Sequence, residues 1–164
     1  AAPGDSRTTP PPPKSSAGKP PAVKTRDAGA PREVPLGKAP KPVAAAPAEA
    51  DFDAAATWRI QFSDNLDLSA NPLLRIRYTG DVARFTLNGK LLTDDFYNGN
   101  AFDIGLARLG ETAPAHLRLS ILPIPQNAPV MYPPGATPPG GALSLDSVEL
   151  IPRYNVTLTA SGQK

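Results

Sequence analysis

From Thr57 onward the chain alternates apolar and polar positions with a period of two. Trp58, Ile60 and Phe62 alternate with Arg59 and Gln61, and Leu74, Ile76 and Tyr78 alternate with Arg75 and Arg77. In an extended chain successive side chains point to opposite faces, so each run predicts a strand with one apolar face. The same period recurs at Ala83, Phe85 and Leu87, is interrupted by Asn88-Gly89, and resumes at Leu91 and Leu92. Asn-Gly between two such runs predicts a β-hairpin, because a type I′ turn needs positive φ at both central residues.

Further strands are expected at Phe102–Leu109 and Leu117–Ile121, with closing strands at Leu143–Leu150 and Tyr154–Leu158. No segment carries a 3.6-residue apolar period with caps at both ends. Seven or eight strands joined by turns, without helices, predict an all-β fold of the β-sandwich kind. Two stretches interrupt the strands. Asp94-Asp95-Phe96-Tyr97-Asn98-Gly99-Asn100 reads as a polar, aromatic loop, and the twenty positions from Pro123 to Ala142 contain seven prolines. A loop of that length inside a domain is uncommon and usually serves a function or lacks order. A binding wall, a lid and an excursion over a sheet edge all fit it.

Composition divides the chain at residue 50. Residues 1–50 hold twelve of the 22 prolines and no aromatic residue, the first being Phe52. Such a stretch buries too little apolar area to offset its ordering entropy, so residues 1–50 are expected to be a disordered Pro/Ala/Lys-rich linker and residues 51–164 a single β-sandwich domain. The linker carries eight basic residues against four acidic, and the remainder nine against eleven, so the formal net charge of +2 belongs to the tail. Its basic residues are spread out and carry no interleaved aromatics, which points to a solvated spacer and not to a nucleic-acid partner.

The chain has no cysteine, which excludes disulfides and thiolate metal sites. No run reaches the roughly 18–20 apolar residues of a membrane span. A start at Ala1-Ala2-Pro3, with no methionine or intact leader, reads as a processed protein or an excised fragment. A periplasmic or secreted monomer is expected.

Catalytic constellations are missing. His116 is the sole histidine, so a transition-metal site or a nucleophile–histidine pair has no second member. Adjacent Asp94 and Asp95 would point to opposite faces of a regular strand and so fail as a glycosidase pair. The chain is therefore expected not to be an enzyme, and no cofactor is expected beyond calcium. Calcium would find oxygens at Asp64, Asn65 and Asp67, or at Asp94, Asp95, Asn98, Asn100 and Asp103, although Asp and Asn clusters also serve turns. Asn155-Val156-Thr157 matches a glycosylation acceptor.

Sugar recognition fits better. Pyranose rings present apolar C–H patches flanked by hydroxyls, which suit aromatic faces beside planar polar side chains. Asp95, Tyr97, Asn98 and Asn100 offer that combination in one stretch, with Tyr132 as a further wall.

The run Ile76–Lys90, then Asp95–Gly99 and Phe102–Leu106, resembles the C-terminal β-domain of bacterial β-galactosidases of glycoside hydrolase family 35. Leu117–Leu122, Pro123, Ala128-Pro129-Val130 and Tyr132 continue the resemblance, which covers roughly Trp58 to Thr159. It implies a jelly-roll sandwich of the galactose-binding-like type, non-catalytic in itself, because the paired glutamates of such enzymes lie on a separate barrel. Two roles follow: a tethered module that binds β-galactoside-containing glycan, or an accessory domain that docks on a glycoside hydrolase barrel without binding sugar.

Overall fold

A computed structural model describes residues 19–37, 43–64, 66–110, 117–126 and 129–154. Among them the two-residue period is realised as eight strands. These are β1 (Ala22–Arg26), β2 (Ala56–Ile60), β3 (Leu73–Thr79), β4 (Val82–Leu87), β5 (Lys90–Phe96), β6 (Phe102–Gly105), β7 (Leu117–Ile121) and β8 (Ser144–Ile151). They form two antiparallel sheets, one ordered β1-β2-β7-β4-β5 and the other β6-β3-β8. Helix among the described residues is confined to two short 3₁₀ segments, Glu49–Ala54 and Leu106–Leu109. The protein is an all-β sandwich.

The core consists of the apolar sets read from the sequence. Trp58 and Ile60 from β2, Phe85 from β4 and Leu117, Leu119 and Ile121 from β7 meet Leu74, Ile76 and Tyr78 from β3, Phe102 and Ile104 from β6 and Val148 and Leu150 from β8. Phe85 and Phe102 join the layers with ring centroids 5.8 Å apart. Arg75 and Arg77 alternate out of the core as expected, and Arg75 meets Asp103 through two bonds of 2.8 and 2.6 Å. The β4–β5 turn has φ of +50° at Asn88 and +80° at Gly89, the signs a type I′ turn requires.

Between β3 and β4 the chain passes from one sheet to the other in two residues, Gly80 and Asp81. A Cβ at Gly80 would overlap Ile121 Cγ2 and lie 2.8 Å from the Leu122 carbonyl, so only glycine lets the strands cross there. Asp81 continues the ladder, with its N–H donating to Leu122 O at 2.8 Å and its carbonyl accepting from Tyr97 N at 3.0 Å.

Four expectations need correction. The fold does not begin at residue 51, because β1, inside the segment read as disordered, pairs antiparallel with β2. Only Ala22 of β1 is even half-buried, so backbone pairing holds this strand where apolar burial does not. Side-chain links reinforce it. Thr25 Oγ1 lies 2.8 Å from Thr57 Oγ1, Arg26 donates to Ala55 O at 3.0 Å and to Phe52 O at 2.8 Å, and Lys24 stands over the Trp58 ring. The strand expected over Phe102–Leu109 stops at Gly105, where Leu106 N bonds Pro72 O and Ala107 N bonds the Asn71 side chain, turning the chain into a 3₁₀ segment. β5 runs through Phe96, so Asp94 and Asp95 lie on a strand and not in a loop. The strand beginning at Thr57 ends at Ile60, short of Phe62. The strand expected at Tyr154–Leu158 lies outside the described residues after Tyr154, as do residues 1–18.

The Arg32–Asp81 pair fastens the N-terminal arm to this frame. Arg32 Nε sits 2.8 Å from Asp81 Oδ2, with only 5% and 7% of the two side chains exposed. Asp81→Ala is expected to lower the unfolding free energy by about 3–5 kcal/mol, since it leaves a buried guanidinium uncompensated. The double change Arg32→Met/Asp81→Leu is expected to cost less, because it removes both charges. Urea denaturation of both variants checks this, and a double variant that loses as much as Asp81→Ala or more would show that the unpaired guanidinium is not the source of the cost.

Candidate functional site

The sheet-crossing corner also shapes a cleft. Three segments enclose about 340 Å³: the arm through Arg32 and residues 43–45, the β4–β5 hairpin through Asp81, Phe96 and Tyr97, and the Pro-rich stretch through residues 129–132. The base of that stretch is closed by Ile124 N to Ala142 O at 3.0 Å and Gly141 N to Ile124 O at 2.7 Å. The loop is thus anchored at its root, and its outer part forms one side of the cleft.

The aromatic side of the cleft is a relay of tyrosines. Tyr97 packs edge-on against Tyr78 with centroids 5.6 Å apart and meets Tyr132 at 5.9 Å with a 56° tilt. Tyr78 belongs to the core and Tyr132 is half-buried, so the relay leads from the interior to the surface. Burial, with the negative charge of Asp81 as a lesser cause, raises the pKa of the Tyr132 hydroxyl and keeps it a neutral donor. Apolar groups stand exposed around the opening: Met131 at 97%, Val43 at 62% and Phe96 at 53%. The polar side is the Arg32–Asp81 pair. Arg32 Nη2 donates to Ala45 O at 3.1 Å, while its buried Nη1 has no partner among the described residues.

The lining places two tyrosine rings beside one guanidinium and one carboxylate, groups chemically suited to a small ligand with both polar and apolar faces. Among the described residues its lining holds one carboxylate, Asp81. Among the described residues no three of His, Cys, Asp and Glu gather to hold a metal.

The five residues expected to bind do not all meet. Tyr97 and Tyr132 line the cleft together. Asp95 faces inward opposite Ala83, with Oδ2 2.9 Å and its carbonyl 3.0 Å from the Tyr78 hydroxyl. Asn98 and Asn100 are exposed beyond the cleft, and Asn98 Oδ1 accepts from Asn100 N at 2.9 Å. That bond is the local turn chemistry of asparagine.

Members of the two oxygen clusters weighed for calcium have other partners. Asp103 is bound by Arg75, which lowers its pKa, and Asp67 accepts from Ser69 N. Asn65, His116, Glu111 and Asn155-Val156-Thr157 lie outside the described residues. Arg32, Asp81 and residues 43–45 went unseen in the sequence. In the sequence the corner shows only as Gly80-Asp81 between the run ending at Thr79 and the run beginning at Ala83, and nothing distinguishes Arg32 from the other seven basic residues of the first fifty.

Asp95 gives a pH signature. Burial, opposed by its bond from Tyr78 and aided by neighbouring Asp94, raises its pKa. An acid whose pKa is raised on folding destabilises the fold when ionised, and the penalty vanishes below its unfolded pKa. Asp95→Asn keeps an acceptor for Tyr78, so it is expected to raise Tm at pH 7 and to match the unsubstituted chain below about pH 3.9. Melting curves against pH test this, and a constant difference across pH would refute it. No family model, curated protein or solved structure matches the chain.

Proposed function

We propose that the protein is a non-catalytic carbohydrate-binding module that holds β-galactoside-containing glycan in the cleft at the sheet-crossing corner. The observation that carries this reading is the placement of the Tyr97 and Tyr132 rings beside the buried Arg32–Asp81 pair, with the guanidinium Nη1 unpartnered among the described residues. Tyrosine faces complement the C–H patches of a sugar, and a charged donor and acceptor complement its hydroxyls. The five-and-three division of strands supports a jelly roll of the galactose-binding-like type, the fold implied by the resemblance to family 35 β-galactosidases.

In this reading Tyr132 and Tyr97 stack on the sugar, and Arg32 and Asp81 bond its hydroxyls. Asp95 supports Tyr78 behind the tyrosines instead of touching ligand, and Asn98 and Asn100 shape the turn at the end of β5. A single shallow site binds weakly, with Kd from about 1 mM down to tens of micromolar, or about −4 to −6 kcal/mol.

A second reading, docking on a glycoside hydrolase barrel without sugar, is favoured by one observation. Met131, Phe96 and Val43 form an exposed apolar rim around the same cleft, and contiguous apolar surface of that kind marks interaction sites.

An NMR titration of the labelled chain with galactose and short β-galactosides separates the two. Saturable shifts at residues 32, 43–45, 81, 96–97 and 129–132 are expected. Tyr132→Ala is expected to weaken binding about fivefold, from loss of about 1 kcal/mol of stacking, with the fold intact. Tyr97→Ala is a poorer probe because Tyr97 also packs on the core. An unchanged spectrum at tens of millimolar sugar would remove the binding reading and leave docking.

A further inference from the structure

The outer face of the five-stranded sheet carries a second surface, remote in register from the tyrosine cleft. The strand pairings place Val23, Arg59, Arg118, Thr86 and Leu91 in one row across all five strands. The next row is Arg26, Thr57, Ser120, Arg84 and Asp94. Two contiguous hollows of about 300 and 360 Å³ lie over these rows and share Thr86, Gly89 and Arg118.

The four arginines of this face are used in two ways. Arg26 and Arg84 hold the 3₁₀ segment Glu49–Ala54: Arg26 bonds the carbonyls of Phe52 and Ala55, and Arg84 sits 2.6 Å from Glu49 and 3.8 Å above the Phe52 ring. Arg59 and Arg118 are exposed, lie directly opposite each other on β2 and β7, and have no acidic partner among the described residues. Like charges directly opposite on a sheet are destabilising. An oxyanion between them reverses the sign of that interaction, and guanidinium groups bind carboxylate and sulfate through paired N–H bonds.

From this juxtaposition we infer that Arg59 and Arg118 form an anion-binding groove for an acidic glycan, its carboxylates or sulfates held by the arginine pair. The ligand class rests on the carbohydrate-binding reading above, and the acidity comes from this face alone. The row spans five strands, about 19 Å at about 4.8 Å per strand interval, which suits a linear chain lying across the sheet. Thr86 and Ser120 add hydroxyls at the centre, and Val23 and Leu91, 44% and 45% exposed, offer apolar contacts at its two ends. Nucleic acid fits less well. Its single strands bind on exposed aromatic platforms, and the one aromatic ring lining this groove, Phe52, is covered by Arg84.

The test uses the full chain, labelled for NMR and titrated at low salt with tetragalacturonate, a heparin-derived tetrasaccharide and an eight-nucleotide oligothymidylate. Either acidic tetrasaccharide is expected to shift Arg59, Thr86 and Arg118; binding of tetragalacturonate shows that carboxylates suffice, and binding of the heparin fragment alone shows that sulfates are required. Arg59→Gln/Arg118→Gln is expected to weaken that binding at least tenfold and to raise Tm by relieving the like-charge contact. Tyr132→Ala is expected to leave it unchanged, so failure of the neutral-sugar cleft and failure of this groove are separately visible. Oligothymidylate binding as tightly through the same residues would overturn the glycan assignment in favour of a phosphate polyanion. Absence of shifts in the groove, or binding that survives the double substitution, would overturn the site itself.

Discussion

Passage of the chain between sheets at Gly80–Asp81 is the constraint on which the rest of the sandwich depends. Two residues suffice because Gly80 brings backbone against Ile121 and the Leu122 carbonyl, where any side chain would collide. The close approach lets Asp81 bond both Leu122 and Tyr97 through its backbone, which ties the end of β5 and the start of the Pro-rich stretch to one point. Once the backbone is committed, the Asp81 side chain is buried, and a buried carboxylate needs a partner. Arg32 is that partner, so a local requirement of sheet crossing recruits a segment almost fifty residues earlier in the chain.

That recruitment explains how a proline-rich, aromatic-free segment becomes part of a β-sandwich. It contributes almost nothing to the core, since β1 buries little beyond part of Ala22. Its attachment is instead polar and specific: backbone pairing to β2, the Arg26 bonds to two carbonyls, and the Arg32 pair. Polar attachment of this kind is registered by geometry more than by composition. Residue counts that correctly describe an apolar core therefore say little about which segments are sewn onto its edges.

The same distinction decides what was legible in the sequence. Trp58, Leu74, Ile76, Phe85, Leu119 and Ile121 announced their burial by alternation, and Asn88-Gly89 announced its turn, because both signals depend on neighbours two residues away. The cleft depends on residues 32, 81, 97 and 132, brought together only by the sheet order. Tyr97 and Tyr132 were found because aromatic side chains in polar surroundings stand out by type. Asp95 stood out in the same way, yet β5 continues three residues further than its polarity suggested and turns that carboxylate inward to Tyr78. Asn98 marked a turn, as its residue type already permitted.

The arm also links the two surfaces thermodynamically. It supplies Arg32 to the tyrosine cleft, Val23 to one end of the arginine row and Arg26 to the seat of the 3₁₀ segment beside that row. A ligand that contacts the arm binds the docked form more tightly than the detached form, and so stabilises docking in proportion to its saturation. Docking in turn completes the other surface, since both need the same segment in place. If both proposed surfaces bind as argued, their ligands would be coupled through the order of residues 22–32 without direct contact, and by reciprocity each would raise the affinity for the other by the same factor. The size of that factor is set by how far the free protein leaves the arm detached: a fully docked arm gives no coupling, and a half-docked one at most a factor of about two.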